Sequence, residues 1–160
     1  MTCLRVIVTT MPDNPRTMTS VRNKANVKQA VPFFWVSDIE VSLKYYIDGL
    51  GFEMNNKWVD DGRVRWCWLQ LGGAAIMLQE FWKNGQHTVL PSSKLGEGVT
   101  IYFICEDAIA LYQQLITKGV SASQPIVHNG LWTTSLSDPD GYHIVFESAT
   151  EEPENTVFGS

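Results

Sequence analysis

The sequence predicts an α+β fold: two βαβββ modules whose curved mixed sheets enclose a cleft. Three observations lead to it. Residues 31–52, VPFFWVSDIEVSLKYYIDGLGF, hold a short apolar strand, a capped helix and a glycine exit in immediate succession. A second succession of the same kind begins near residue 99. The landmarks of the two copies keep one offset: Asp38 to Asp107 is 69 residues, Gly51 to Gly119 is 68, and Gly73 to Gly141 is 68. A period shared by a helix start, a helix stop and a hairpin marks an internal repeat. One module alone leaves a curved sheet with an open face, whereas two can pair their sheets around a space.

The elements follow in order. The apolar run 32–36 is too short for a helix and rich in aromatic and β-branched residues, so it reads as a buried strand. Ser37 or Asp38 caps a helix in which Ile39, Leu43, Tyr46, Ile47 and Leu50 share one face, and Gly49 and Gly51 end it. Strands are expected over 52–59, 64–71 and 74–80, with Asp60, Asp61 and Gly62 in the first turn and Gly72 and Gly73 in the second. In the second half, 99–105 reads as a strand. Asp107 then starts a helix whose Ile109, Tyr112, Leu115 and Ile116 share a face, and Gly119 closes it. Strands over 123–127, 131–137 and 142–148 complete the copy, the last two joined by Asp138, Pro139, Asp140 and Gly141. The domain is thus expected over 29–149, with modules at 29–82 and 98–149 and a linker at 83–97. Residues 1–28 read as an extension and 150–160 as an acidic tail.

Composition narrows the function classes. With 44% hydrophobic and 18% charged residues and no run of eighteen apolar residues, the chain reads as one globular domain without a membrane span. Cys3, Cys67 and Cys105 form no CxxC pair and are odd in number, which favours reduced thiols in a cytoplasmic protein. The apolar run 6–8 lies between Arg5 and Pro12, too short and poorly flanked for a cleaved signal peptide. Residues 1–28 carry five of the 12 basic groups and one of the 17 acids, a net of +4, leaving seven basic and sixteen acidic groups, a net of −9, for the rest. An acidic body disfavours nucleic acid and suits cationic ligands, although a charged surface also simply keeps a domain soluble.

Catalytic signatures are missing. The sequence has no GxSxG, HExxH, phosphate loop or dinucleotide fingerprint. Cys67 lies between Trp66 and Trp68 in an alternating strand, with its side chain on the other face, and reads as a structural thiol. Asp60 with Asp61 and Glu151 with Glu152 fall in turn and tail segments and read as solvated, as do His87 and His128.

These residues resemble the vicinal oxygen chelate superfamily, which holds glyoxalase I, extradiol dioxygenases, and fosfomycin and bleomycin resistance proteins. The resemblance covers roughly residues 29–149 and rests on AVPFFWVSDIEVSLKYYIDGLGFE, GGAAIMLQE and DPDGYHIVFE, in that order. The AVP opening and the LGF exit look most like the bleomycin resistance proteins. The resemblance implies paired βαβββ modules, commonly a homodimer, with the ligand in a cleft formed by concave sheets. It also implies four metal-ligand positions, on the first and last strand of each module. Here these fall at or next to Val31, Met77, Thr100 and Val145. None suits a catalytic divalent ion, because valine offers no donor and a thioether is a poor partner for a hard cation. His143, Glu147 and Gln79 lie two residues away on the same strand faces, and a site made of them lacks a donor from the first strand. The expectation is therefore no metal, no cofactor and no catalytic residue.

What stands in those places is aromatic. Phe33 and Trp35 share the face of Val31, Tyr102 shares that of Thr100, and Met77 and Gln79 project toward the same space; Trp66 and Trp68 share one face, and Trp132 begins its strand. With His143 and Glu147 these form the candidate ligand set, suited to a planar guest whose cation an acid can hold. The plainer alternative is core or dimer interface, and for Trp66 and Trp68 packing against a helix is an equal alternative. By resemblance to the bleomycin resistance proteins, which sequester a cationic drug without modifying it, the function expected is a metal-free, cytoplasmic, homodimeric small-molecule binding protein. A metal-dependent lyase or dioxygenase and a structural or regulatory dimer are the alternatives.

Overall fold

The computed structural model describes residues 26–82 and 89–159, and residues from Val31 onward form one compact unit. The expectations placed on Cys3, on His87 and on most of 1–28 lie outside the described residues. The elements are β1 (Phe33–Val36), α1 (Ile39–Leu43), β2 (Glu53–Asp60), β3 (Arg63–Leu71), β4 (Ala74–Glu80), β5 (Thr100–Ile104), α2 (Ala108–Thr117), β6 (Ile126–His128), β7 (Leu131–Ser137) and β8 (His143–Ala149). They form two four-stranded mixed sheets, ordered β1-β4-β3-β2 and β5-β8-β7-β6. The order is the same in both halves, so the repeat read from the offsets is structural.

Local chemistry explains the elements. Asp38 and Asp107 both sit in extended backbone as N-caps, their carboxylates accepting from amides of the first turn. The β2–β3 turn is Asp61–Gly62 and the β6–β7 turn is Asn129–Gly130, all four residues at positive φ, the two-residue hairpin geometry that matches strand twist. The first helix differs from expectation in its last part. After Leu43 the chain widens into a π-helical segment, Lys44–Gly49, in which the Leu50 amide donates to the Tyr45 carbonyl at 3.0 Å.

That wider turn brings Tyr45 and Tyr46 to the other module. The Tyr46 hydroxyl donates to Asp138 Oδ2 at 2.9 Å, and the Tyr45 hydroxyl donates to the Ser137 carbonyl at 3.1 Å. Asp138 is buried, and its Oδ1 accepts from the Asp140 and Tyr142 amides at 3.0 and 2.8 Å. Burial pushes its carboxyl up, while those donors pull the other way. Tyr142 stacks on Phe34 with ring centres 4.1 Å apart, and its hydroxyl donates to the Trp35 carbonyl at 3.1 Å. Gly96 completes the joint: a Cβ there would lie 2.1 Å from the Tyr142 nitrogen, so no larger residue fits.

One core results. Phe34, Val36, Cys67, Leu69, Ile76 and Leu78 of the first sheet lie in the same buried cluster as Phe103, Leu136, Ile144 and Phe146 of the second. The cleft expected between the sheets is therefore not enclosed within one chain, since each sheet turns its alternate face away from the shared core. The C-terminal segment packs beside β6. Asn155, Val157 and Phe158 run along β6, and the Phe158 ring covers Trp132.

Two outcomes follow. Tyr46→Phe leaves the buried Asp138 oxygen without its hydroxyl donor and should lower unfolding stability in urea by about 1–3 kcal/mol; a loss below a few tenths would show the bond to be unimportant. The Cys67 thiol, pushed up by burial to about 12, should resist alkylation at neutral pH in the native protein and react once the chain is unfolded. Mass spectrometry of the Cys67 peptide reads this directly.

Candidate functional site: an outward aromatic sheet face

Register collects the predicted residues of the first module. Parallel pairing of β1 with β4 sets Phe33 beside Met77 and Trp35 beside Gln79. Antiparallel pairing of β3 with β4 sets Trp66 beside Gln79 and Trp68 beside Met77. Six of the candidate residues thus lie on one face, and it is the face opposite the core. Period-two alternation produces this directly, because their neighbours Phe34, Cys67, Leu69 and Leu78 are buried.

The face is a stacking surface. Phe33 and Trp35 meet edge to face at 5.6 Å, and Trp35 meets Phe81 at 5.1 Å. Phe33 is 40% exposed, and Trp35, Trp66 and Trp68 are half-buried. The indole nitrogen of Trp68 donates to Gln70 Oε1 at 3.3 Å, which ties one ring in place. Contiguous apolar area of this kind on a sheet is a mark of a binding surface.

Three further aromatic residues join it that the strand pattern did not single out. Trp58 lies beside Trp66 across β2 and β3 and is 46% exposed; Phe81 packs on Trp35; Trp82 lies 5.3 Å from Trp58. An unbroken hairpin from Asp61–Gly62 would set Trp58 opposite Arg65, on the core side. A register shift between Trp58 and Val59 moves it across to the Trp66 side. At the edge of this surface the Arg65 guanidinium sits 5.5 Å from the Trp82 ring centre. Arg65 and Arg63 both pair with the buried carboxylate of Glu80, Arg63 at 2.6 Å, and Glu80 also accepts from the Ile39 amide. This cluster fixes the start of α1 against the end of β4.

The second module presents a different outer face. Tyr102 lies beside Val145, Thr100 beside His143, and Ile104 beside Glu147, with Thr133, Ser135 and Ser137 completing the rows on β7. Tyr102 and Ile104 are 60% and 86% exposed, high for residues of their type. His143 is exposed with its Nδ1 3.3 Å from Ser137 Oγ. Within one chain the structure therefore gathers Phe33, Trp35, Trp66, Trp68, Met77 and Gln79 on one surface and Tyr102, His143 and Glu147 on another. Trp132 joins neither: it is buried against Ala108, Val127 and Phe158, on the face of β7 that packs under α2.

The donor set does not fit a metal. Among the described residues no group of three or more His, Cys, Asp or Glu is placed to hold an ion. Val31, Met77, Thr100 and Val145 offer no nitrogen or carboxylate ligand, and Gln79 lies on a different outward face from His143 and Glu147. No helix among the described residues is long and apolar enough to cross a membrane.

Comparison with known proteins agrees with this architecture. The family model described as the Glyoxalase/Bleomycin resistance protein/Dioxygenase superfamily matches residues 28–146. A search of curated proteins finds no match. Among solved structures, a glyoxalase-related enzyme from Clostridium phytofermentans superposes with a TM-score of 0.61 at 16% identity, covering 79% of this chain and 98% of its own. TnmS3, an antibiotic binding protein from Streptomyces sp. CB03234, gives 0.58 at 20% identity, with 77% and 98% covered. A bleomycin resistance determinant encoded on the transposon Tn5 gives 0.57 at 20% identity, with 79% and 100% covered. At these identities the likeness is one of fold.

Proposed function

We propose, from the premise that the chain belongs to the glyoxalase/bleomycin resistance protein/dioxygenase superfamily, that it is a metal-free binding protein which sequesters a planar, cationic small molecule between two copies of itself. The observation that carries this reading is the outward aromatic surface of the first sheet. Rings held by neighbouring rings lose little entropy on stacking a flat guest, and among the described residues no group of three or more His, Cys, Asp or Glu beside them is placed to hold a Lewis acid. Two of the structural neighbours, the Tn5 determinant and TnmS3, are described by their dealings with antibiotics, which supports the same class of ligand.

The second copy has a physical role in this reading. At equivalent register positions, Trp35, Trp66 and Gln79 of the first sheet correspond to Ile104, Thr133 and Glu147 of the second. One sheet supplies flat apolar area and the other supplies hydroxyls and an acid. Laying the first sheet of one copy over the second sheet of its partner puts both kinds of surface around one guest and covers the exposed Tyr102 and Ile104.

Titration with bleomycin, followed by tryptophan fluorescence, tests the ligand class. Quenching is expected at micromolar concentration, with about tenfold weaker binding in Trp66→Ala. Absence of quenching removes this drug class, and a stoichiometric transition metal in gently purified protein would favour the catalytic alternative instead. Sedimentation equilibrium tests the pairing: a dimer is expected for the native chain, and Ile104→Glu, which sets a charge against the covered face, should shift it toward monomer. A monomer at all concentrations overturns the paired site.

A further inference from the structure

The two module junctions are related by the internal repeat, but they are filled differently. At the first, Tyr142 lies on Phe34, its hydroxyl bonds the Trp35 carbonyl, and Asp140 Oδ1 accepts from the Ser37 amide at 3.0 Å. The strand registers give the counterparts at the second junction. Phe34 lies opposite Leu78 and Phe103 opposite Phe146, so Phe103 is the twin of Phe34 and Ala74 the twin of Tyr142. Where one junction has a phenol ring, the other has a methyl group.

A hollow of about 660 Å³ occupies that place, bordered by the Gly72–Gly73 turn, Ala74, Phe103, Ile104, Glu106 and Phe146. Phe103 leans on Phe146 at 5.2 Å and so fills only part of the gap. The backbone groups the first junction satisfies stay open here. Cys105 donates to Glu147, and His143 to Val99, so alternation directs the Ile104 carbonyl to the free edge of β5. Among the described residues no hydrogen bond reaches the Glu106 amide, the twin of the satisfied Ser37.

We propose that this hollow is a second small-molecule site, separate from the aromatic sheet face, that takes a phenol-like ring in the position Tyr142 holds at the other junction. The ring meets the edges of Phe103 and Phe146, and its hydroxyl donates to the Ile104 carbonyl. Apolar walls such as Ala74, Phe103 and Phe146 suit an aromatic ring, and the open carbonyl selects a guest with a donor. The volume is within the range of small-ligand sites.

Phenol and anisole are the probes, titrated into the full chain at millimolar concentration while backbone amide shifts are followed by NMR. Phenol should move the amides of Gly73, Ile104 and Glu106, with anisole, which cannot donate, about tenfold weaker. Ala74→Tyr places the missing ring covalently and should abolish those shifts while raising the melting temperature. Ala74→Leu, which fills the space with less demand on the fold, should weaken phenol binding at least severalfold. Shifts confined to Phe33, Trp35 and Trp66, equal binding of anisole and phenol, or phenol binding that both Ala74 variants leave intact would each overturn the site.

Discussion

Everything else in the molecule depends on how the second module is fastened to the first. The fastening is polar and local: a buried aspartate receives a tyrosine hydroxyl from the other module and two amides from its own turn. A bare carboxylate in that position would be costly, and three donors offset the desolvation. With Asp138 held, Tyr142 is delivered flat onto Phe34, and the core faces of both sheets merge into one cluster. The consequence for function is directional. Once the inner faces are committed to each other, the sheets present their outer faces among the described residues.

The hydroxyls that make the joint are kept as hydroxyls by their surroundings. Burial, together with the nearby Asp138 carboxylate, holds Tyr46 protonated well above the ordinary phenol range, and Tyr45 and Tyr142 are raised in the same way. Donors are wanted there, one to the Asp138 carboxylate and two to backbone carbonyls, and the site resists losing them. The π-helical widening of Lys44–Gly49 is the backbone side of the same arrangement, since it carries Tyr45 and Tyr46 to a turn 92 residues away in sequence. Such widened turns commonly persist where they serve a contact a regular helix would miss.

Much of this was legible in the sequence, for reasons that can be named. Aspartate caps, glycine exits and hairpin dipeptides act through a few neighbouring residues, so Asp38, Asp107, Gly51 and Gly119 fixed the repeat and its period before any packing was known. That Phe33 shares a face with Trp35, and Trp66 with Trp68, needed only the period of a strand; that both pairs lie on one face, rather than Trp66 and Trp68 against a helix, came from their register through β4. What sequence could not supply depends on partners far along the chain. Trp58 joined the aromatic face because a bulge moved it over, and nothing in the local pattern of β2 announces that shift. Trp132 lies under α2 rather than with the candidate ligands because the register against β8 sets it beside Ser148, on the core side. The direction of the two sheets was hidden for the same reason: each outer face is defined by which face the other module covers.

The divergence between the copies argues for what the outer faces are for. Equivalent positions on the two sheets carry unlike side chains: on the second, Thr133 and Ser135 stand beside β8. On the first sheet the positions corresponding to these are Trp66 and Trp68, at a cost in solubility that an isolated outward face gains nothing from. Contiguous rings turned outward on a sheet are a mark of an interaction surface. The second sheet offers the complementary surface, smaller and richer in hydroxyls, with Glu147 at the place of Gln79. In the proposed binding mode an apolar platform in one half and an acid in the other divide the recognition of a flat cation, because stacking and charge recognition act along different directions of such a molecule. The two halves thus share one strand order and differ both at their junctions and on their exposed faces.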